Sequence, residues 1–222
     1  MCSGAWRSTI VTLSLAALSG CVSVHYQRPA GEIAPRTGES LVFGRVRFFY
    51  DEREFFPWEA NLVAPGIGTN TERHLWLLRL GRRAVSAEVH PDGDGSLAIW
   101  LGPGDYALVG SSQLETSGAP PYEVVALFRV PVGAVAAYTG ELQFRTESHE
   151  GGHLSRGEFG ESTVALLPIE IARATLEQRL GTLPEPPTVS PWCAGDSLPG
   201  FNDSRLADKA RGLLDHGCTG KQ

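Results

Sequence analysis

The 222-residue chain carries 19 Lys and Arg against 25 Asp and Glu, a formal net charge of -6, with 42% hydrophobic and 9% aromatic residues. That length buries a proper core and fits one domain with an appendage, and the composition is that of a folded chain rather than a disordered one. The acidic balance argues against a nucleic-acid partner, and no run of about twenty apolar residues is present to cross a bilayer as a helix.

In chain order, residues 1–20 read as a secretory leader. Arg7 precedes an apolar run from Ile10 to Leu18, too short to span a membrane and of the length of a signal-peptide core. The run ends in Leu18-Ser19-Gly20-Cys21. This stretch resembles the lipobox of bacterial lipoproteins. The resemblance implies cleavage before Cys21, a diacylglycerol on its thiol, and, with the non-acidic Val22 following, an outer-membrane anchor facing the periplasm. Small residues at Ser19 and Gly20 admit a peptidase. Two or more acyl chains hold a protein stably, at about 0.8 kcal/mol per buried methylene. The bland alternative is an ordinary signal peptide with a chance cysteine.

Residues 21–40 are rich in Gly, Pro and polar side chains and read as a flexible tether. Residues 41–168 then read as a chain of short strands with no helical pattern between them, which predicts an antiparallel β-sandwich. In "LVFGRVRFFY", Val42, Val46 and Phe48 fall on one parity and Arg45 and Arg47 on the other. "PDGDGS" carries the Asp-Gly signal of a hairpin, and Pro103-Gly104 that of a type II turn. The run "DGSLAIWLGPGDYALVG" resembles carboxypeptidase-regulatory-like, transthyretin-type β-sandwiches, and "FRVPVGAVAAYTGELQF" resembles a segment of small bacterial lipoproteins of uncharacterised function. These resemblances cover residues 41–145. They rest on turn chemistry, so they imply a fold and no activity.

Residues 169–222 change character. Ile169, Ala172, Leu176 and Leu180 recur at helical spacing, with Gly181 as the stop. After the proline-rich "TLPEPPTVSPW", residues 201–217 predict a second helix capped by Asn202, stapled by Phe201 and Leu206, and closed by Gly217. With Cys2 in the leader and Cys21 lipidated, Cys193 and Cys218 remain, an even pair in an oxidising compartment and a candidate disulfide; two free thiols is the alternative.

Three stretches raise chemistry. His149-Glu150-Gly151-Gly152-His153 matches the H-E-x-x-H zinc-protease pattern. That pattern needs a helix to bring the histidines onto one face, whereas two glycines each cost about 1 kcal/mol in a helix interior. A solvated loop is the plainer reading, and His149 and His153 stay as metal candidates for the alternative of a zinc-dependent hydrolase. The Asp92–Asp94 stretch lacks the spacing of an EF-hand calcium loop. Phe55, Phe56 and Trp58 beside Asp51, Glu52, Arg53 and Glu54 form a candidate partner-binding patch, or a cover for a sheet edge. No G-x-S-x-G and no Walker-type loop occurs, and no cofactor is implied. The expected protein is a lipid-anchored, non-catalytic envelope lipoprotein that binds or scaffolds an envelope protein or ligand.

Overall fold

The computed structural model describes residues 37–50, 52–55, 72–81, 85–89, 91–113, 122–146, 161–184, 187–195 and 198–217. The protein is mainly β. One sheet is built on two long parallel strands, β1 (Ser40–Tyr50) and β8 (Ala136–Thr146), each flanked by two shorter ones. β5 (Ser96–Leu101) pairs with the first half of β1 and β2 (Arg53–Phe55) with its second half. β10 (Pro187–Val189) pairs in parallel with the first half of β8, and β9 (Glu161–Ala165) antiparallel with its second half. The other sheet is a four-stranded antiparallel set in the order β4 (Val85–Val89), β3 (Glu72–Arg79), β6 (Gly104–Gln113), β7 (Tyr122–Val130).

The expectation of antiparallel sheets holds for the four-stranded sheet and fails for the six-stranded one. Its central β1–β8 pair and the β10–β8 pair are parallel. Parallel strands tend to be covered on both faces, and the first half of β1 fits that rule. Val42, Val46 and Phe48 enter a cluster with Leu75, Leu77, Leu108 and Phe128 of the four-stranded sheet. Leu41 and Phe43 point the other way, into a second cluster with Ala172 and Leu176 of α1 (Ile169–Leu180). A third cluster lies on the far face of the four-stranded sheet, where Ala107, Val109 and Leu127 meet Leu206 and Ala210 of α2 (Leu206–Asp215).

Strand β8 keeps its apolar residues inward only because it is bulged. Between Phe43↔Tyr138 and Arg45↔Glu141 it spends one residue more than β1. Gly140 absorbs the extra residue with φ +82°, a conformation that side chains resist. Parity flips there, so Ala137 before the bulge and Leu142 and Phe144 after it share the core. Phe144 stacks on Phe48 with ring centroids 4.8 Å apart. Gly44 faces the bulge from β1, and a Cβ there would lie 2.3 Å from Thr139 Oγ1 and 2.6 Å from the Gly140 carbonyl.

The Asp-Gly turn forms, but not as a hairpin. Gly95 takes φ +80° and donates its N–H to the Asp92 carbonyl, yet β4 belongs to one sheet and β5 to the other. The turn is a corner between sheets. Asp94 Oδ1 and Oδ2 accept the Ser96 N–H and hydroxyl, so the Asp94 side chain serves the turn itself.

The proline-rich connector is a strap. After β10, Ser190 N–H bonds the Tyr138 carbonyl and Trp192 N–H the Thr139 carbonyl, both on the six-stranded sheet. Cys193 then exchanges both backbone bonds with Leu127 of β7 on the other sheet. Between these anchors Trp192, 3% exposed, enters the shared core and meets Phe128 edge-on at 4.7 Å. Cys193 is disulfide-bonded; Cys218, the partner expected for it, lies outside the described residues.

Helix α1 follows the predicted span, and Gly181 ends it with φ +88° while donating to the Glu177 carbonyl. Helix α2 begins later than predicted. Asn202 does not cap it; Asp203 Oδ1 instead accepts the Arg205 N–H just before the first helical residue. Phe201 and Leu206 share the third cluster, and Gly217 follows the last turn at φ +72°.

Candidate functional site

Past the bulge, Glu141, Gln143 and Arg145 of β8 lie beside Arg45, Arg47 and Phe49 of β1, on the face turned away from the shared core. Strand β2 adds Glu54 opposite Phe49, and the turn before it adds Glu52. The result is a charged array on a four-strand-wide platform, β2-β1-β8-β9.

Glu141 is its centre and is only 2% exposed. Arg45 Nη1 lies 3.4 Å from Glu141 Oε2, and Arg47 Nη1 3.3 Å from Oε1. Gln143 Nε2 donates to Oε1 as well. Arg47 also donates from Nε and Nη2 to Glu54 at 2.7 and 2.5 Å, a two-point contact. Arg145 donates to Glu52 at 3.0 Å and to Gln143 Oε1 at 3.2 Å. The Phe49 ring sits between guanidinium groups, Arg47 at 4.9 Å and Arg145 at 4.6 Å, close enough for cation–π attraction.

Three arginines face three glutamates, so the array is balanced. Charge-assisted and bidentate bonds are the stronger kind, and the ionisation shows it. The Arg47 hydrogen bonds hold the Glu54 carboxyl below the usual carboxylate range, and Glu54 in turn raises Arg47. Burial pushes the Tyr138 phenol up, with the Glu141 charge adding to it; its hydroxyl donates to the Leu167 carbonyl at 3.1 Å.

Satisfaction is incomplete at the buried end. Glu141 Oε2 and Arg45 Nε make no hydrogen bond among the described residues, and the 3.4 Å approach of Arg45 Nη1 to Oε2 is an ion pair that does not meet hydrogen-bond geometry. Orphaned polar atoms in such a place are costly. The carboxylates of the array are held by guanidinium groups. What the platform offers is a fixed pattern of guanidinium edges and carboxylates.

Of the residues singled out in the sequence, Arg45, Arg47, Glu52 and Glu54 enter this array. Phe55 lies in β2 opposite Phe48, and Phe56 and Trp58 lie outside the described residues. His149 and His153 also lie outside them, in the connection between the paired strands β8 and β9. Cys21 precedes the described residues. Among the described residues, no group of three His, Cys, Asp or Glu side chains could hold a metal, and no helix is long and apolar enough to cross a membrane. Glu141 and Arg145 escaped the sequence reading; the signal available was Gly140, whose bulge sets which β8 residues share the arginine face.

Compared with family models, with curated proteins and with solved structures, the chain matches none.

Proposed function

We propose that the protein is a lipid-anchored cell-envelope lipoprotein whose folded part acts as a non-catalytic binding or scaffolding module. The single observation that carries this is Leu18-Ser19-Gly20-Cys21 closing a short apolar run, followed by a Gly- and Pro-rich stretch before β1 begins at Ser40. The mature chain starts at Cys21, carries acyl chains there, and is held at the periplasmic side of the outer membrane. In this reading the two sheets are the layers of a β-sandwich, supported by the cluster that both share. Cys193 pairs with Cys218 and ties the strap to the end of α2. The partner, an envelope protein or ligand, docks on the charged platform of Arg45, Arg47, Glu54, Glu141 and Arg145. Support for a docking role over a catalytic one comes from carboxylates already engaged by arginines.

The test is Cys21→Ser in the full chain, followed by membrane fractionation. The variant is expected to leave the membrane fraction and lose incorporation of labelled palmitate. Undiminished attachment of the serine variant contradicts the proposal.

A further inference from the structure

We propose that the turn joining β7 to β8 is a membrane-contact tip, resting on the lipid bilayer to which the chain is anchored; this rests on the lipoprotein reading above. The turn is Pro131-Val132-Gly133-Ala134-Val135, five residues without a charge or a polar side chain. Val132 is 91% exposed and Val135 40%, and Val132 is the most exposed of the large hydrophobics described. A scattered surface valine is ordinary. Its position is what distinguishes this one.

The turn is bonded to the point where the anchored chain arrives. Ser40 Oγ donates to the Ala134 carbonyl at 2.5 Å, and Leu41 N–H donates to the Val135 carbonyl at 3.0 Å. Chain leaving Ser40 toward the N-terminus therefore departs beside Val132. Between Cys21 and Gly38 lie about 16 residues, and a coil of that length, which is what the Gly- and Pro-rich composition predicts, reaches roughly 20–24 Å on average. A lipid on Cys21 holds this pole of the fold near the bilayer, and an uncharged, apolar, outward-pointing turn is the surface it holds there. The charged platform lies toward the other end of β1 and β8. From Ala136 to Gln143 along β8 is about 23 Å at roughly 3.3 Å per residue, so a fold seated on its tip presents the arginine face away from the lipid.

The test uses the full-length lipidated chain, with its native disulfide, bound to vesicles of phosphatidylethanolamine and phosphatidylglycerol. A nitroxide is placed at Val132→Cys and, as the control, at Thr163→Cys, an exposed residue of β9 opposite Gln143. The expected result is that the label at 132 collides severalfold more often with oxygen than with a water-soluble nickel chelate, while the label at 163 shows the reverse. Vesicle-bound protein whose label at 132 is as water-accessible as that at 163 overturns the tip and leaves the anchor standing. Protein that fails to bind vesicles and carries no lipid overturns both.

Discussion

Replacing Trp192 with alanine probes the strap that joins the two sheets. The side chain is almost fully buried, packs edge-on against Phe128, and belongs to the cluster shared by both sheets. Truncating a buried Trp to Ala costs about 3–5 kcal/mol, because the cavity closes only in part. One feature lowers that figure. Trp192 Nε1 is buried without a hydrogen bond among the described residues, and an unmet donor already costs about 1–3 kcal/mol. Removing it returns part of the loss, so Trp192→Ala is expected near the lower end, about 3 kcal/mol. In a chain of this size each kcal/mol moves the midpoint by about 2–4 °C, which gives a fall of about 6–12 °C. Trp192→Phe removes the same orphan donor but keeps a ring against Phe128, and should stay within about 1 kcal/mol of the native protein. The assay is urea and thermal unfolding of both variants followed by far-ultraviolet circular dichroism. A loss below about 1 kcal/mol for alanine, or equal losses for alanine and phenylalanine, would refute the argument that an aromatic ring locks the sheets together.

Gly44→Ala should destabilise by about 3 kcal/mol or prevent folding, since the new methyl meets the Gly140 backbone at 2.6 Å and cannot be accommodated by a side-chain rotation; native stability in the purified variant would contradict the bulge geometry. For Glu54, whose carboxyl Arg47 holds below its ordinary value, the stabilisation is present at neutral pH, above the unfolded value, and is lost as pH falls through the lowered folded one. The pair is part-exposed, so Glu54→Gln should lose no more than about 1 kcal/mol. The gap between native and variant should be constant from pH 7 to about pH 5, shrink on further acidification, and be read from urea midpoints at each pH; a gap that does not change with pH across the acid range argues against the pair. Protein purified without chelator should contain zinc well below one equivalent by elemental analysis, whereas one equivalent that vanishes in His149→Ala would favour a zinc-dependent hydrolase.

What was legible in the sequence was facing rather than pairing. Alternation in β1 separates Val42, Val46 and Phe48 from Arg45 and Arg47, and the structure keeps that division. Spacing likewise placed Ala172 and Leu176 on the buried side of α1. Strand direction left no such trace, because alternation looks the same for a parallel and an antiparallel neighbour. An Asp-Gly turn marks a reversal of the chain, but whether its strands share a sheet depends on long-range pairing; here Asp92–Gly95 turns a corner. The strap was hidden by its prolines, which exclude a helix but allow the short edge strand at Pro187–Val189. Only the apolar Trp192-Cys193 pair within it hinted at burial. The charged array was half visible, since Arg45 and Arg47 declared their face while Glu141 reaches it through a one-residue bulge. The candidate histidines and the Phe56 and Trp58 patch fall outside the described residues.

The lipid anchor proposed at Cys21 sets where the folded domain is held. Intact mass spectrometry of the protein extracted from membranes with detergent tests it most directly. The expected mature chain begins at Cys21 and carries the added mass of a diacylglyceryl group at that residue. A mature chain that begins elsewhere, or an unmodified Cys21 on protein recovered without detergent, would contradict it.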